Sequence, residues 1–255
     1  MSGGRSKSAS SAGGSLLSWL REIAIVVVGA LIASTLLRLF VLQMFVIPSV
    51  SMENTLLVGD RVAVQKIVPY HRGDVVVFRD SLGWLGAPPP EEDLFRQGLI
   101  FVGLAPDESA NHLIKRVIGT AGDHVTCCDA QGRVSVNGVP LDETAYLYTD
   151  PVTKKPVEPS SYNFDVIVPA GTVFVMGDHR DRSQDSRCHI WEEVPGKPEG
   201  YAAFIPVTDI VGSSVAVVYP FSRFHGLNEP ATFQNIPAPG AVPTHAVIKG
   251  TEFHC

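Results

Sequence analysis

The sequence predicts a mainly β protein, built from antiparallel sheets and preceded by one N-terminal transmembrane helix. Two observations lead to this prediction. One long apolar run lies near the N-terminus, and beyond it short β-branched segments alternate with turn residues, without helical stretches between them. Strands that alternate with helices would favour a parallel α/β fold, whereas many short strands joined by turns favour antiparallel sheets.

The apolar run extends from Ile23 to Leu42 and contains Arg38 as its only charged residue. A helix of about 20 residues spans about 30 Å, the thickness of the hydrocarbon core of a bilayer. A cleaved secretory signal peptide is the alternative, but its apolar region is shorter and ends in a small-x-small cleavage site. Leu31 and Ile32 stand where such a site would need a small residue. We therefore expect a retained membrane anchor at residues 23–42.

The charges around this run predict its orientation. The basic residues before it are Arg5, Lys7 and Arg21. The stretch of similar length after it contains Arg61 as its only basic residue. By the positive-inside rule, residues 1–22 form a disordered cytoplasmic arm and residues 43–255 lie outside the cytoplasm. The sequence thus predicts a single-pass protein of the cell membrane with an extracytoplasmic domain.

Beyond the anchor the pattern is typical of β structure. The predicted strands are Val62–Val68, Val75–Phe78, Leu113–Ile118, His124–Cys127, Val134–Val136, Phe164–Val168, Thr172–Met176 and Ile210–Tyr219. Asn137 and Gly138 predict a hairpin turn, because both residues tolerate positive φ. We expect a β domain over residues 43–220, with residues 80–111 as an inserted loop and residues 221–255 as an irregular tail.

The charge balance argues against a nucleic-acid partner. Lys and Arg number 20 against 26 Asp and Glu, which gives a formal net charge of −6, whereas phosphates require a basic surface. The histidines and cysteines show no spacing typical of a metal site, and the chain has no glycine-rich phosphate loop. No metal ion and no cofactor are therefore predicted.

Four segments concentrate the residues that could carry chemistry. They are PSVSMENTLLVGD (48–60), GDVVVF (73–78), KRVIGTAGD (115–123) and GDHRDRSQDSR (177–187). Ser51 is a candidate nucleophile and needs a base, which a neutral lysine can provide. Lys115 shares a predicted strand face with Leu113 and Val117, and apolar neighbours lower the pKa of an ammonium group. The alternative interpretation is an ordinary surface lysine at a strand edge.

These four segments, in this order and behind a transmembrane run, resemble the motifs of bacterial type I signal peptidases. These are membrane-anchored Ser–Lys proteases that remove signal peptides from exported proteins. The resemblance covers the anchor and most of residues 43–218. It implies an antiparallel β catalytic core whose apolar surface rests on the lipid bilayer. It also implies signal-peptide-bearing preproteins as substrates; the oligomeric state is not predicted.

The resemblance also implies a role for each matched residue. Ser51 would be the nucleophile and Lys115 its general base. Ser49 would contribute its hydroxyl to the oxyanion hole, together with the backbone amide of Ser51. Ser183 would bond and orient the lysine through its hydroxyl. The supporting charged residues would be Asp178, Asp185 and Arg187.

Three residues depart from the family's usual pattern. Val50 stands where Gly is common, so the turn must avoid positive φ there. Asn54 stands where Pro is frequent, which removes a constraint on φ. His179 replaces the usual Asn of GDNR. A second nucleophile system of Asp178 and His179 is conceivable, but neighbours on a strand point to opposite faces, so we expect a structural, hydrogen-bonding histidine.

The cysteines lie beyond the anchor, where an oxidising environment allows disulfides. Cys127, Cys128, Cys188 and Cys255 permit three full pairings. Because a bridge between adjacent cysteines would be strained, we expect Cys127 or Cys128 to pair with Cys188. A cysteine protease that uses Cys188 and His189 is disfavoured, because adjacent side chains point apart.

The sequence therefore predicts a membrane-bound serine endopeptidase that cleaves exported preproteins. A non-catalytic membrane-tethered β-domain, acting as an envelope chaperone or scaffold, is the alternative. It accounts for the anchor and the strands but leaves the joint presence of Ser51, Lys115 and Ser183 accidental. A self-cleaving repressor-type Ser–Lys protease is disfavoured by the membrane anchor, by the acidic charge and by the lack of a DNA-binding domain.

Overall fold

The computed structural model describes residues 12–86, 93–94, 111–253 and 255. Most of the predicted inserted loop and the first part of the predicted arm, residues 1–11, lie outside these ranges. The described chain begins with a helix, α1 (Ala12–Phe40), and continues into two antiparallel sheets. The predicted fold class, mainly antiparallel β with one N-terminal apolar helix, is confirmed.

Helix α1 contains a stretch, Ser18–Leu37, that is long and apolar enough to cross a membrane, with a mean hydropathy of 2.0. None of this stretch is buried against the rest of the protein. The helix differs from the prediction at both ends. It begins at Ala12, inside the predicted disordered arm, because the leucine-rich segment before the apolar run also favours helix. It ends at Phe40 rather than Leu42, where a strand begins.

The strands in chain order are β1 (Leu42–Val46), β2 (Arg61–Gln65), β3 (Val75–Arg79), β4 (His112–Thr120), β5 (His124–Cys127), β6 (Ser135–Val136), β7 (Val139–Pro140), β8 (Phe164–Ile167), β9 (Thr172–Met176), β10 (Ile205–Pro206), β11 (Ile210–Tyr219), β12 (His225–Gly226) and β13 (Val247–Lys249). Among the described residues, the larger sheet has the order β1-β2-β11-β3-β4-β9-β10, with β12 also paired to β11. The smaller sheet has the order β13-β8-β5-β6-β7. Neighbouring strands in both sheets are antiparallel.

The predicted strands all form, with ends that differ by no more than three residues. The hairpin between β6 and β7 also matches its prediction. Asn137 and Gly138 have φ values of 51° and 80°, and Val136 pairs directly with Val139 across the turn. Alternating apolar residues and special turn residues were thus sufficient to identify these elements.

Two segments differ from the prediction because pairing partners distant in sequence recruit them. Strand β1 continues from the predicted anchor and pairs with β2, which buries Phe45 and satisfies the backbone once the helix has ended. The tail after Pro220, predicted to be irregular, contributes β12 and β13. Strand β13 pairs with β8, and its Ile248 packs on the apolar core of the smaller sheet.

Two apolar clusters determine how the sheets support the site. One lies between the two sheets and includes Ile118, Val166 and Phe174. Another lies beneath β1 and β2 and includes Met52 and Leu56, both fully buried. The loop between β1 and β2 is therefore anchored in the core, and it carries the candidate nucleophile.

The cysteines do not pair as expected. The predicted bridge between Cys188 and either Cys127 or Cys128 is wrong. The structure joins Cys127 to Cys128 and Cys188 to Cys255. Strand β13 brings the tail back over the smaller sheet, so that the Cα atoms of Cys188 and Cys255 lie 5.2 Å apart, within the usual disulfide range. The expectation rested on the exclusion of a bridge between adjacent cysteines, and that bridge is present, which leaves Cys255 as the partner of Cys188.

The Cys188–Cys255 bridge makes a prediction for stability. It links residues 67 positions apart, so its loss frees the unfolded chain. We expect Cys188→Ser to lower the free energy of unfolding by about 2–4 kcal/mol, measured by thermal unfolding of the full chain in detergent micelles. Cys255→Ser and the double variant should lose the same amount. A wild-type melting temperature in all three variants would show that the bridge does not stabilise the fold.

Candidate active site

Ser51 lies in a short 3₁₀ turn, Val50–Met52, in the loop between β1 and β2. The turn is fixed from the core side by Met52, whose carbonyl also accepts the backbone N–H of Leu56 at 2.8 Å. Val50 adopts the backbone of this right-handed turn and not a positive φ. The β-branched residue is therefore accommodated at the position where the sequence departs from glycine.

Lys115 comes from the middle of β4, paired with Val76 of β3, and its side chain reaches the nucleophile turn. Its Nζ donates a hydrogen bond to Ser51 Oγ at 2.7 Å. The hydroxyl of Ser49 lies 3.3 Å from the same Oγ. Lys115 is only 2% exposed, which excludes the interpretation as a surface lysine.

Burial lowers the pKa of Lys115 from 10.5 to about 8. The carboxylates of Asp185 and Asp178 act against this shift, and the guanidinium of Arg187 adds to it. At pH 7 about a tenth of such amines are neutral, and above pH 8 most of them are. The side chain can therefore act as a base at moderate pH, as its apolar strand neighbours predicted.

Asp178 binds Arg116, the residue after Lys115. Arg116 Nε and Nη2 donate to the two carboxylate oxygens at 2.8 Å and 2.6 Å. Thr55, in the loop that follows the nucleophile turn, also donates to this carboxylate. Arg116 was not among the predicted site residues. The alternation of side chains along β4 contained the signal, because it directs Arg116 away from Lys115 and towards a buried acid.

Asp185 forms the second buried pair, with Arg187. Arg187 Nε and Nη2 donate to its oxygens at 2.8 Å and 2.9 Å, and the backbone N–H of Gly177 donates at 2.9 Å. Burial alone would raise the pKa of Asp185, but the guanidinium and these hydrogen bonds hold it below its usual value. The predicted pairing of Asp185 with Arg187 is present in the structure.

Ser183 differs from the expectation that its hydroxyl bonds Lys115. The hydroxyl is buried and does not bond Lys115; it lies beside the carboxylate of Asp185 and helps to hold the pKa of that acid below its usual value. It rests against Gly177 instead, where an added Cβ would lie 2.3 Å from Ser183 Oγ and 2.5 Å from the carbonyl oxygen of Ser51. Glycine at this position therefore allows three chain segments to approach each other.

Asp178 and His179 do not form a second catalytic pair. Asp178 is bound to Arg116, whereas the imidazole of His179 lies 3.0 Å from Glu53 and 3.3 Å from Asp181. Asn54, beside Glu53, has φ 85°, a value that proline cannot adopt. Its replacement of proline therefore does more than the expected removal of a constraint, because the turn takes a shape that excludes proline.

The structure also bears on the cysteine-protease hypothesis and on a possible metal site. Cys188 is bonded to Cys255 and has no free thiol, which rules out the Cys188–His189 nucleophile. Within the described ranges, no group of three or more His, Cys, Asp or Glu side chains is arranged to hold a metal ion.

Comparison with known proteins covers most of the chain. The family model described as signal peptidase, peptidase S26, matches residues 18–219. Signal peptidase I of Mycobacterium tuberculosis is 35% identical over 233 residues, which cover 81% of this chain and 75% of that protein. The probable signal peptidase I of Mycobacterium leprae is 35% identical over 82% of this chain and 79% of its own length. The probable signal peptidase I-1 of Synechocystis sp. is 35% identical over 82% of this chain and 86% of its own length.

The range matched by the family model includes most of helix α1, the Val50–Met52 turn and the Arg116–Asp178 and Arg187–Asp185 pairs. The segments in which the resemblance was first observed lie inside the matched range, residues 18–219. With a family model that spans most of the chain and relatives that are one third identical over four fifths of it, this protein belongs to the signal peptidase family, peptidase S26.

Proposed function

We propose that this protein is a membrane-tethered Ser–Lys endopeptidase that releases exported preproteins from their signal peptides, with Ser51 as nucleophile and Lys115 as general base. Membership of the family makes it a signal peptidase, a serine protease that removes signal peptides. The predicted enzyme class is confirmed, and the chaperone or scaffold alternative is not. The residue assignment depends on one observation above all, the 2.7 Å hydrogen bond between Lys115 Nζ and Ser51 Oγ in a buried site.

The first step is acylation of Ser51. Neutral Lys115 accepts the hydroxyl proton while Oγ attacks the scissile carbonyl carbon, which gives a tetrahedral oxyanion. The backbone N–H of Ser51 and the hydroxyl of Ser49 donate to this oxyanion, and the 3.3 Å distance between the two serine oxygens supports this role for Ser49. The ammonium formed on Lys115 then protonates the departing amine, and the C–N bond breaks.

The second step is hydrolysis of the acyl-enzyme. Lys115 is neutral again after it has protonated the amine, so it can take a proton from water as the water oxygen attacks the ester carbonyl. Collapse of this intermediate breaks the bond to Ser51 Oγ, and the lysine returns the proton to the serine. During both steps the carboxylates of Asp178 and Asp185 favour the transient ammonium, since each raises the pKa of Lys115.

The pairing of β4 supports access for an extended peptide. Strand β9 pairs with β4 only as far as the contact between Met176 and Arg116. On that side, no described strand covers β4 at Lys115 or at the two residues before it. A substrate segment can add to such an edge through backbone hydrogen bonds and so bring its carbonyl to Ser51.

The anchor and β1 support tethering at a membrane. None of the candidate span in α1 is buried against the rest of the protein, and β1 begins two residues after the helix ends. Leu42, Met44 and Val46 alternate along β1 and are 36–40% exposed. We infer a single pass with a cytoplasmic N-terminus, an extracytoplasmic β domain and a site close to the lipid surface, since basic residues precede the anchor.

Removal of either proposed catalytic side chain should abolish processing. We expect Ser51→Ala and Lys115→Ala each to lower kcat by at least about 10³-fold, because the attacking oxygen or its base is missing. The assay is cleavage of a preprotein by the detergent-purified full chain, with N-terminal sequencing of the product. The exposed residues Ser161 and Lys155 provide matched controls, and Ser161→Ala and Lys155→Ala should cleave normally. Wild-type cleavage by Ser51→Ala or Lys115→Ala would contradict the assignment.

The pH profile should report the neutral fraction of Lys115. Because the pKa of this base is lowered to about 8, kcat/KM should rise about tenfold per pH unit from pH 6 to near pH 8 and level off above it. The measurement is the initial cleavage rate at low preprotein concentration across this range. A profile that stays flat from pH 6 to 9, or that falls with pH, would be incompatible with a lysine base.

The lowered pKa of Lys115 also predicts that removal of its amine stabilises the fold, although it abolishes activity. At pH 7 the unfolded chain holds Lys115 as an ammonium at no cost, whereas the folded site disfavours that charge. Lys115→Met should therefore raise the free energy of unfolding by up to about 3 kcal/mol at pH 7. The gain should disappear as pH rises from 8 to about 10.5. Thermal unfolding at pH 7 and pH 10 tests this, with Lys155→Met as the control, and a destabilised Lys115→Met at pH 7 would refute it.

A further inference from the structure

His179 is buried beside the nucleophile turn, with only 6% of its surface exposed. Its Nδ1 lies 3.2 Å from the carbonyl oxygen of Val50 and 3.0 Å from Glu53 Oε2. On the other side of the ring, Nε2 lies 3.3 Å from Asp181 Oδ1. The ring stacks on Tyr148 with centroids 3.8 Å apart, which restricts its orientation. Each ring nitrogen therefore faces a different segment of chain.

The backbone of His179 contacts the same turn. Its N–H donates to the carbonyl oxygen of Ser51 at 3.0 Å. One residue thus reaches Val50 at the start of the turn, Ser51 in its middle and Glu53 directly after it. The contacts through Nδ1 involve Val50 and Glu53, which lie on either side of Ser51.

The turn needs such external contacts, because little within it determines its shape. It comprises three residues, and Ser49 before it makes no side-chain capping hydrogen bond. The N–H of Glu53 closes it with a 3.0 Å bond to Val50, and Asn54 then leaves with φ 85°. A single 3₁₀ turn has weak hydrogen-bond geometry and little cooperativity.

We propose that His179 is a positioning residue for the nucleophile. Through Nδ1 it holds the two ends of the Val50–Met52 turn and so keeps Ser51 Oγ at bonding distance from Lys115. This inference rests on the proposed role of Ser51. Loss of the Nδ1 contacts lets the turn shift, and a displacement of about 1 Å at a reacting atom can lower the rate about 10²-fold.

Three substitutions of His179 distinguish the contribution of Nδ1 from that of Nε2. His179→Ala removes both, the amide nitrogen of His179→Asn reaches the place of Nδ1, and the amide nitrogen of His179→Gln reaches the place of Nε2. We expect His179→Ala to lower kcat by about 10–100-fold with KM within about twofold. His179→Asn should recover most of that loss, and His179→Gln should not. Asp181→Asn, which alters only the partner of Nε2, is the matched control and should cleave as the wild type does.

A second measurement does not depend on catalysis. Hydrogen exchange of the backbone amides of residues 50–54 should be faster in His179→Ala and His179→Gln than in the wild type, and close to wild type in His179→Asn. Thermal unfolding accompanies each variant. If kcat falls equally in all three variants and follows the melting temperature, His179 has a structural role only and the inference is overturned.

Ser51→Ala in the same assay tests the proposed function separately from the role of His179. If Ser51→Ala still cleaves, the proposed function fails, while the exchange data still decide whether His179 orders the turn. If Ser51→Ala is inactive but His179→Ala keeps wild-type kcat, or if Asn and Gln restore activity equally, the proposed function stands and the positioning role is wrong. Should His179→Ala fail to fold, the contrast between Asn and Gln supplies the same decision.

Discussion

The candidate site depends on the burial of one amine. Lys115 lies in the interior of the protein with its Nζ on Ser51 Oγ, and burial there disfavours the ammonium form. Two carboxylates lie close enough to raise the lysine pKa, but each already binds an arginine. Asp178 pairs with Arg116, and Asp185 pairs with Arg187. Because these acids are neutralised by guanidinium groups, the lysine amine is left to bond the serine.

The sheets place these groups by simple alternation. Lys115 and Arg116 are neighbours on β4, so one side chain reaches the nucleophile turn and the other reaches Asp178. Arg116 also contacts Thr55, beyond the turn. The buried pairs thus join β4, the loop after β1 and the segment after β9. Pairs of this kind add little net stability over apolar contacts, but removal of one partner leaves a buried charge uncompensated and is strongly destabilising. Their contribution here is to fix the positions of strand β4 and these two other segments relative to one another.

Much of the fold could be predicted, because its signals are local. The apolar run needed only its length, and the strands needed only β-branched residues between turns. The hairpin needed only Asn137 and Gly138. Strand β1, strand β13 and the disulfide to Cys255 could not be predicted, because each exists through a partner far away in sequence. Strand β1 has the composition of the apolar run before it, and β13 lies in a tail rich in Pro and Gly, whose pattern does not indicate a strand.

For the site, the order of the four motifs pointed to Ser51 and Lys115, because residue types and their spacing along the chain can be read directly from the sequence. Residue type alone was insufficient for Ser183, whose hydroxyl lies against Gly177 and not on the lysine. It was also insufficient for His179, whose two ring nitrogens meet Glu53 and Asp181. Directions and distances between side chains arise from packing of segments remote in sequence, and so do the pKa of Lys115 and the orientation of its amine. The sequence therefore singled out the candidate groups, whereas the packed fold determined which of them touch.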